Sequence, residues 1–172
     1  MKKIKTFAII AFISFSALLS SCSNDDGENN ASSGTSSFIK GKVDGTPFAS
    51  MEIQGVSTAI ATKTGSGDQT LIMIQGTNEA MNSMVITTMG IVEAGTYEFD
   101  AFDDGNVLAY VDNATSTSYA TSNCDSAAGT LVITHLDGTK IEGTFSFRGN
   151  SDANCSNSKM VTEGSFRGVF MQ

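Results

Sequence analysis

The 172-residue chain carries ten Lys and Arg against eighteen Asp and Glu, a formal charge of −8, with one proline and no tryptophan. So acidic a surface repels nucleic acid and anionic lipid headgroups, which argues against both as partners. The length suits one domain with its own core, and abundant Thr, Ser, Gly and Asn without a long helical period favours β structure.

Lys2, Lys3 and Lys5 precede an apolar run from Phe7 to Leu19. About a dozen apolar residues are too few to span a bilayer and suit the hydrophobic region of a secretory signal. Leu19-Ser20-Ser21-Cys22 resembles the bacterial lipobox. The resemblance implies that residues 1–21 are removed, that Cys22 is lipidated on sulfur, and that its new amine is acylated. Several acyl chains, each buried CH₂ contributing about 0.8 kcal/mol, hold a protein at a membrane far more durably than one chain does. The acidic run from Ser23 to Glu28 resembles the export signal found just after the lipidated cysteine in surface lipoproteins of Bacteroidetes-type bacteria. That implies outer-membrane, cell-surface display, with the periplasmic face as the alternative. Loss of residues 1–21 leaves seven Lys and Arg against all eighteen Asp and Glu, a formal charge of −11.

Residues 22–37 read as the lipidated cysteine and a flexible acidic, Ser-rich linker, with no aromatic or β-branched cluster to order it. A coil of about fifteen residues holds a domain roughly 20 Å from its anchor. A single β domain is expected over residues 38–172. Phe38–Val43 alternates, Asp44-Gly45 is a hairpin turn, and Pro47 begins the return strand where no central ladder bond is lost. Further strands are expected at Gly55–Thr62, Gln69–Thr77, Asn82–Met89, Gly95–Asp100, Val107–Val111 and Ser116–Ser122. The clearest hairpin is Gly129–Leu136 with Lys140–Arg148, closed by Asp137-Gly138, and Lys159–Met171 ends the chain.

About 9–11 short strands, hairpin after hairpin, mean an antiparallel β-sandwich, or a partly closed up-and-down β-barrel. The sandwich is favoured, because inward Gly143 and Gly164 would let rings from opposing sheets interdigitate. Leu71-Ile-Met-Ile74 and Met84-Val-Ile86 are apolar on both faces. Central strands covered on both sides are the expectation, an exposed patch the alternative. Phe38 to Phe48, Gly95-Thr-Tyr97, Gly129 to Thr134, Ile141 to Phe147 and Val161 to Phe166 are similar to the spaced signatures of a family of small all-β lipoproteins of Bacteroidetes-type bacteria. The resemblance implies fold and anchorage and brings no catalytic residue.

Few residues point to chemistry. His135, the only histidine, follows Leu131 and Ile133 on one strand face, and no hydrolase signature accompanies it. Two cysteines and one histidine lack close zinc-ligand spacing. Asp100, Asp103, Asp104 and Asn106 gather oxygen ligands of the kind calcium takes. The late bidentate glutamate of a full calcium loop is missing, so a solvated turn competes and no cofactor is otherwise expected. Tyr97, Phe99, Phe145, Phe147, Phe166 and Phe170 alternate as core residues, which leaves Tyr110 and Tyr119 as the freest ligand contacts. Asp125-Ser126-Ala127 resembles a bacterial O-glycosylation sequon at Ser126.

With Cys22 taken by lipid, Cys124 and Cys155 are the remaining thiols, and the compartment outside the inner membrane is oxidising. They flank the Gly129–Arg148 hairpin, whose antiparallel pairing brings both flanking loops to one end, so a disulfide is expected. The leading functional expectation is a surface-anchored, non-catalytic module that binds a glycan, a peptide or another envelope protein. The alternative is a barrel holding a small apolar ligand, and the third a hydrolase around His135.

Overall fold

The computed structural model describes residues 36–103 and 105–171, all within one compact unit. Cys22, the acidic segment after it, and Asp104 lie outside the described residues. Thirteen strands follow in order: β1 (Phe38–Val43), β2 (Thr46–Ala49), β3 (Glu52–Ile53), β4 (Val56–Ser57), β5 (Ile60–Thr64), β6 (Leu71–Thr77), β7 (Ser83–Met89), β8 (Gly95–Asp100), β9 (Val107–Asp112), β10 (Thr117–Ala120), β11 (Ala128–Leu136), β12 (Lys140–Asn150) and β13 (Ser158–Val169). Asp44 and Gly45 both take positive φ (47° and 82°), as a two-residue type I′ turn requires between β1 and β2. Gln54 and Gly55 do the same (53° and 79°) between β3 and β4, and the single strand expected at Gly55–Thr62 is broken at Thr58 and Ala59 into β4 and β5.

Eleven of these strands form one antiparallel sheet, and β3 with β4 forms a second, small one. The expected antiparallel all-β class is therefore observed. Strand β12 organises the large sheet. Its eleven residues pair with β13 along one edge, while β11 occupies the other edge up to Arg148 and β10 takes over at Asn150. The sheet thus branches into two halves, β8-β11-β12-β13-β1-β2 and β10-β9-β7-β6-β5, joined at the Ala120–Asn150 pair. It curls so that the halves meet again at a parallel bridge between Ala61 and Phe170. β1 pairs with β13, and β8 with β11, so the order is not that of a simple up-and-down meander.

The core fills the space between the halves. Alternate residues point inward from each strand, such as Leu131 and Ile133 of β11, Ile72 and Ile74 of β6, and Ile39 of β1, all at most 2% exposed. Gly143 lies opposite Phe166 and Gly164 opposite Phe145 across β12 and β13. A Cβ on Gly143 would stand 2.9 Å from the Phe166 ring, and one on Gly164 2.8 Å from the Phe145 ring. This corrects the expectation of rings crossing between opposing sheets. Each ring lies over the glycine of its neighbouring strand, within one half of the sheet.

A second correction concerns the two-faced apolar runs. Ile72, Ile74, Met84 and Ile86 are buried, but Met73 and Met89 are 38% and 37% exposed on the outer face. Among the described residues no other layer covers β6 and β7 there, because the curled sheet has one core. The register places Ile60, Leu71, Met73, Val85, Val107 and Ser118 among the residues of that outer face, and none of those from β5, β6, β7, β9 and β10 is charged.

The disulfide between Cys124 and Cys155 is present, with Cα atoms 5.7 Å apart. It ties the β10–β11 connection to the β12–β13 turn at the corner where the halves join. Asn150, fully buried at that corner, donates its Nδ2 to Cys124 Sγ at 2.7 Å, while its backbone carbonyl accepts Asn123 Nδ2, also at 2.7 Å.

Candidate functional site

β2 is the last strand of its half, and its free edge faces the 78–82 turn between β6 and β7. Between them lie two cavities of about 180 and 570 Å³ that share Thr46, Pro47, Asn78 and Asn82 and so form one cleft. Beyond β2 the gap closes where Met51 N–H donates to the Thr77 carbonyl at 2.9 Å. Ser50 N–H donates to the Ile39 carbonyl on β1. Alternation along β2 therefore turns Phe48 toward β1 and Pro47 toward the cleft, where its missing N–H leaves no ladder bond unmade.

Tyr110 of β9 walls the smaller lobe. It is 7% exposed, set between the Phe48 ring edge-on (centroids 6.4 Å apart, planes at 86°) and the Tyr119 ring stacked at 6.3 Å. Its hydroxyl has no hydrogen-bond partner among the described residues. Burial pushes the phenol above its ordinary pKa, and Asp112 pushes it further, so the hydroxyl is a proton donor at neutral pH. The two tyrosines expected to be free are thus neither on an open surface: Tyr110 belongs to the core cluster and Tyr119 packs half-buried against it.

The rim carries a paired charge. Lys159 Nζ donates to Asp44 Oδ2 at 2.8 Å, Asp44 Oδ1 accepts the Met160 N–H at 2.9 Å, and Nζ stands 5.9 Å from the Tyr119 ring centre. The Lys159 bond lowers the Asp44 pKa, and the same bond raises that of Lys159. Opposite, Asn78 Oδ1 accepts Asn82 N–H and Asn82 Oδ1 accepts Asn113 N–H, each at 3.0 Å. Because backbone donors fix the two oxygens, both amide nitrogens are left without a partner among the described residues. Asp44, Asn78, Asn82 and Lys159 were not read as site residues from the sequence. Asn at both ends of the 78–82 turn was the available signal, and it reads equally as turn chemistry.

The other candidates lie elsewhere. A bulge between Ile133 and His135 shifts the register so that His135 opposes Glu142, an outer-face residue. This corrects its expected alignment with Leu131 and Ile133, since a one-residue slip reverses the side-chain face. His135 Nε2 lies 2.8 Å from Asp137 Oδ2, and Asp137 Oδ1 accepts Thr139 N–H, Thr139 Oγ1 and Lys140 N–H, so the pair caps the β11–β12 turn. Asp103 Oδ2 accepts Asp100 N–H, Asp100 Oδ1 accepts Phe102 N–H, and Asn106 Oδ1 accepts Met89 N–H. Each of these three proposed calcium ligands has an oxygen bound to a backbone N–H, that of Asn106 to the end of β7, and among the described residues no cluster of three or more His, Cys, Asp or Glu could hold a metal. Ser126 is exposed, with its Oγ 3.3 Å from Asn150 Nδ2.

Four carboxylates predict the acid response. The pKa values of Asp44, Asp137, Glu142 and Asp152 are all lowered, chiefly by bonds from Lys159, His135, Arg167 and Ser156 respectively. A depressed folded pKa means that the unfolded chain binds more protons, so this stability is complete above the unfolded values of about 3.9–4.3 and disappears below them. Thermal midpoints measured from pH 6 to pH 2 are expected to hold level to about pH 4.5 and then fall. A midpoint rising on acidification would contradict these bonds.

Sheet, disulfide and side cleft define a class, a disulfide-linked all-β domain formed by one curled antiparallel sheet. The chain belongs to the family described as domain of unknown function DUF6252, which matches residues 35–170. No curated protein and no solved structure matches it.

Proposed function

We propose that the protein is a lipid-anchored, non-catalytic binding module displayed on the outer membrane, related to the small lipoproteins of Bacteroidetes-type bacteria, whose ligand occupies the cleft between β2 and the β6–β7 turn. The observation that carries this reading is Tyr110, more than nine-tenths buried yet with an unpartnered hydroxyl at a cavity wall. A ligand acceptor at that hydroxyl would add a hydrogen bond worth about 0.5–1.5 kcal/mol. The same magnitude weighs against an apolar ligand, which would leave Tyr110 and both asparagine amides unmatched. The space between the sheet halves is filled by the core cluster, which supports a side cleft over a barrel interior. His135 and Asp137 serve the hairpin turn, which supports a non-catalytic role.

Anchorage rests on the Leu19–Cys22 motif, and surface display on the acidic run after it. Replacing Asp25 and Asp26 by alanine is expected to protect the protein from protease applied to whole cells. Unchanged shaving would remove the surface assignment. For the cleft, native mass spectrometry of the full-length chain purified from its own cells is expected to show a bound mass that Asn82→Ala loses. A bound mass that persists in Asn82→Ala would move the site elsewhere.

A further inference from the structure

We propose that the cleft takes a neutral, hydroxyl-rich ligand, the terminal one or two sugar units of a glycan; this deepens the reading above and rests on it. Tyr110, Asn78 and Asn82 all line the cavity, and each brings a neutral donor without a partner among the described residues, the Tyr110 hydroxyl and the two amide nitrogens. Such a set matches a ligand dense in hydroxyl and carbonyl oxygens. Apolar side chains share the lining with these donors, Val43, Pro47 and Phe48 in the smaller lobe and Ala49 and Met51 in the larger, beside the polar Thr46 and Ser50. A pyranose presents that pairing of surfaces, with oxygens around its edge and C–H groups on its faces.

Other ligand classes fit less well, each for a separate reason. An anionic group would need a free cation, but Lys159 at this rim is bound to Asp44, and the chain as a whole is acidic. A peptide adding as a strand would need a run of donors along β2, which has four residues with Pro47 turned toward the cleft. An apolar ligand would leave the three donors unmatched. Cationic ligands find only Glu79, in the larger lobe, beyond the paired Asp44. The larger lobe's volume of about 570 Å³ is in the range of small-ligand sites, and the smaller lobe adds room for one ring.

The test titrates the full-length chain in detergent with five probes: N,N′-diacetylchitobiose, cellotriose, trigalacturonate, an uncharged octapeptide and laurate. The neutral saccharides are expected to shift the amide resonances of Thr46, Asn78 and Asn82. Tyr110→Phe should weaken binding roughly three- to tenfold, the ratio for one lost hydrogen bond. That variant removes only an unpartnered hydroxyl, so its melting midpoint should not fall, and Phe102→Ala, at an exposed residue between β8 and β9, is the neutral control. Trigalacturonate binding as tightly as the neutral sugars would overturn the neutral-ligand assignment. Saccharides failing while peptide or laurate shifts the cleft resonances would overturn the sugar and leave the cleft reading standing. No cleft shift with any probe would end both.

Discussion

Replacing Cys124 and Cys155 together by serine is expected to lower the stability of the domain by about 3.5 kcal/mol. The bridge spans a sequence separation of 31 residues. In the chain-entropy account it acts on the unfolded chain, which loses the freedom to separate those two points. Here the bridge also sits at the corner where β10 meets β12 through the single Ala120–Asn150 pair. Asn150 is buried with its Oδ1 unpartnered, and its Nδ2 is held by Cys124 Sγ and Ser126 Oγ. Loss of the bridge therefore removes support from a residue that already carries an unmet polar atom. A domain of this size has about 5–15 kcal/mol in total, so the melting midpoint should fall by roughly 10 °C. Wild type melted in reductant should reproduce the double variant. Equal midpoints with and without reductant, or two alkyl groups added to the unfolded, unreduced domain, would show that the bridge is absent.

Phe166→Ala is the second large effect, with an expected loss of about 3–5 kcal/mol. Phe166 is 2% exposed, lies over Gly143 and packs 6.2 Å from the Phe145 ring. Gly143 has no side chain to move into the vacated space, and backbone on both flanks is fixed by the β11 and β13 ladders. The cavity should therefore stay open, which places the cost toward the upper end of the range. Phe102, 76% exposed, supplies the contrast: Phe102→Ala should change stability by no more than about 0.5 kcal/mol. The opposite error is testable at Gly143, where an added methyl meets the Phe166 ring and the Val132 carbonyl. Gly143→Ala should cost about 1–3 kcal/mol through overpacking. Denaturant unfolding of the three variants ranks them, and a Phe166→Ala midpoint near wild type would refute the interlocked pair.

Much of the strand layout was legible in the chain. Alternation marks β1, β8, β11 and β12 within a residue or two at their ends, because a half-buried strand repeats every two residues. Asp44-Gly45 declares its turn because few residue pairs tolerate two positive φ values in succession. The cysteine pairing followed from counting thiols and from the antiparallel hairpin between them.

Tertiary structure decided the rest, for one recurring reason: the answer depends on which distant strands become neighbours. Periodicity shows that Met73 and Met84 are apolar but not which faces the core; the register with β5 and β9 buries Met84 and leaves Met73 outward. The bulge after Ile133, which turns His135 to the outer face, has no glycine or proline to announce it. The cleft draws on Asp44 and Phe48, Asn78 and Asn82, Tyr110, and Lys159, which come together only when β13 pairs with β1 and the β6–β7 turn reaches across to β2. Sequence alone determined where strands and turns fall, since those are local properties of the backbone. The inward face of each strand, the corner at Asn150 and the cleft around Tyr110 were set by pairing across as many as 129 residues, from Phe38 to Arg167, and pairing at that range leaves no local trace in the chain.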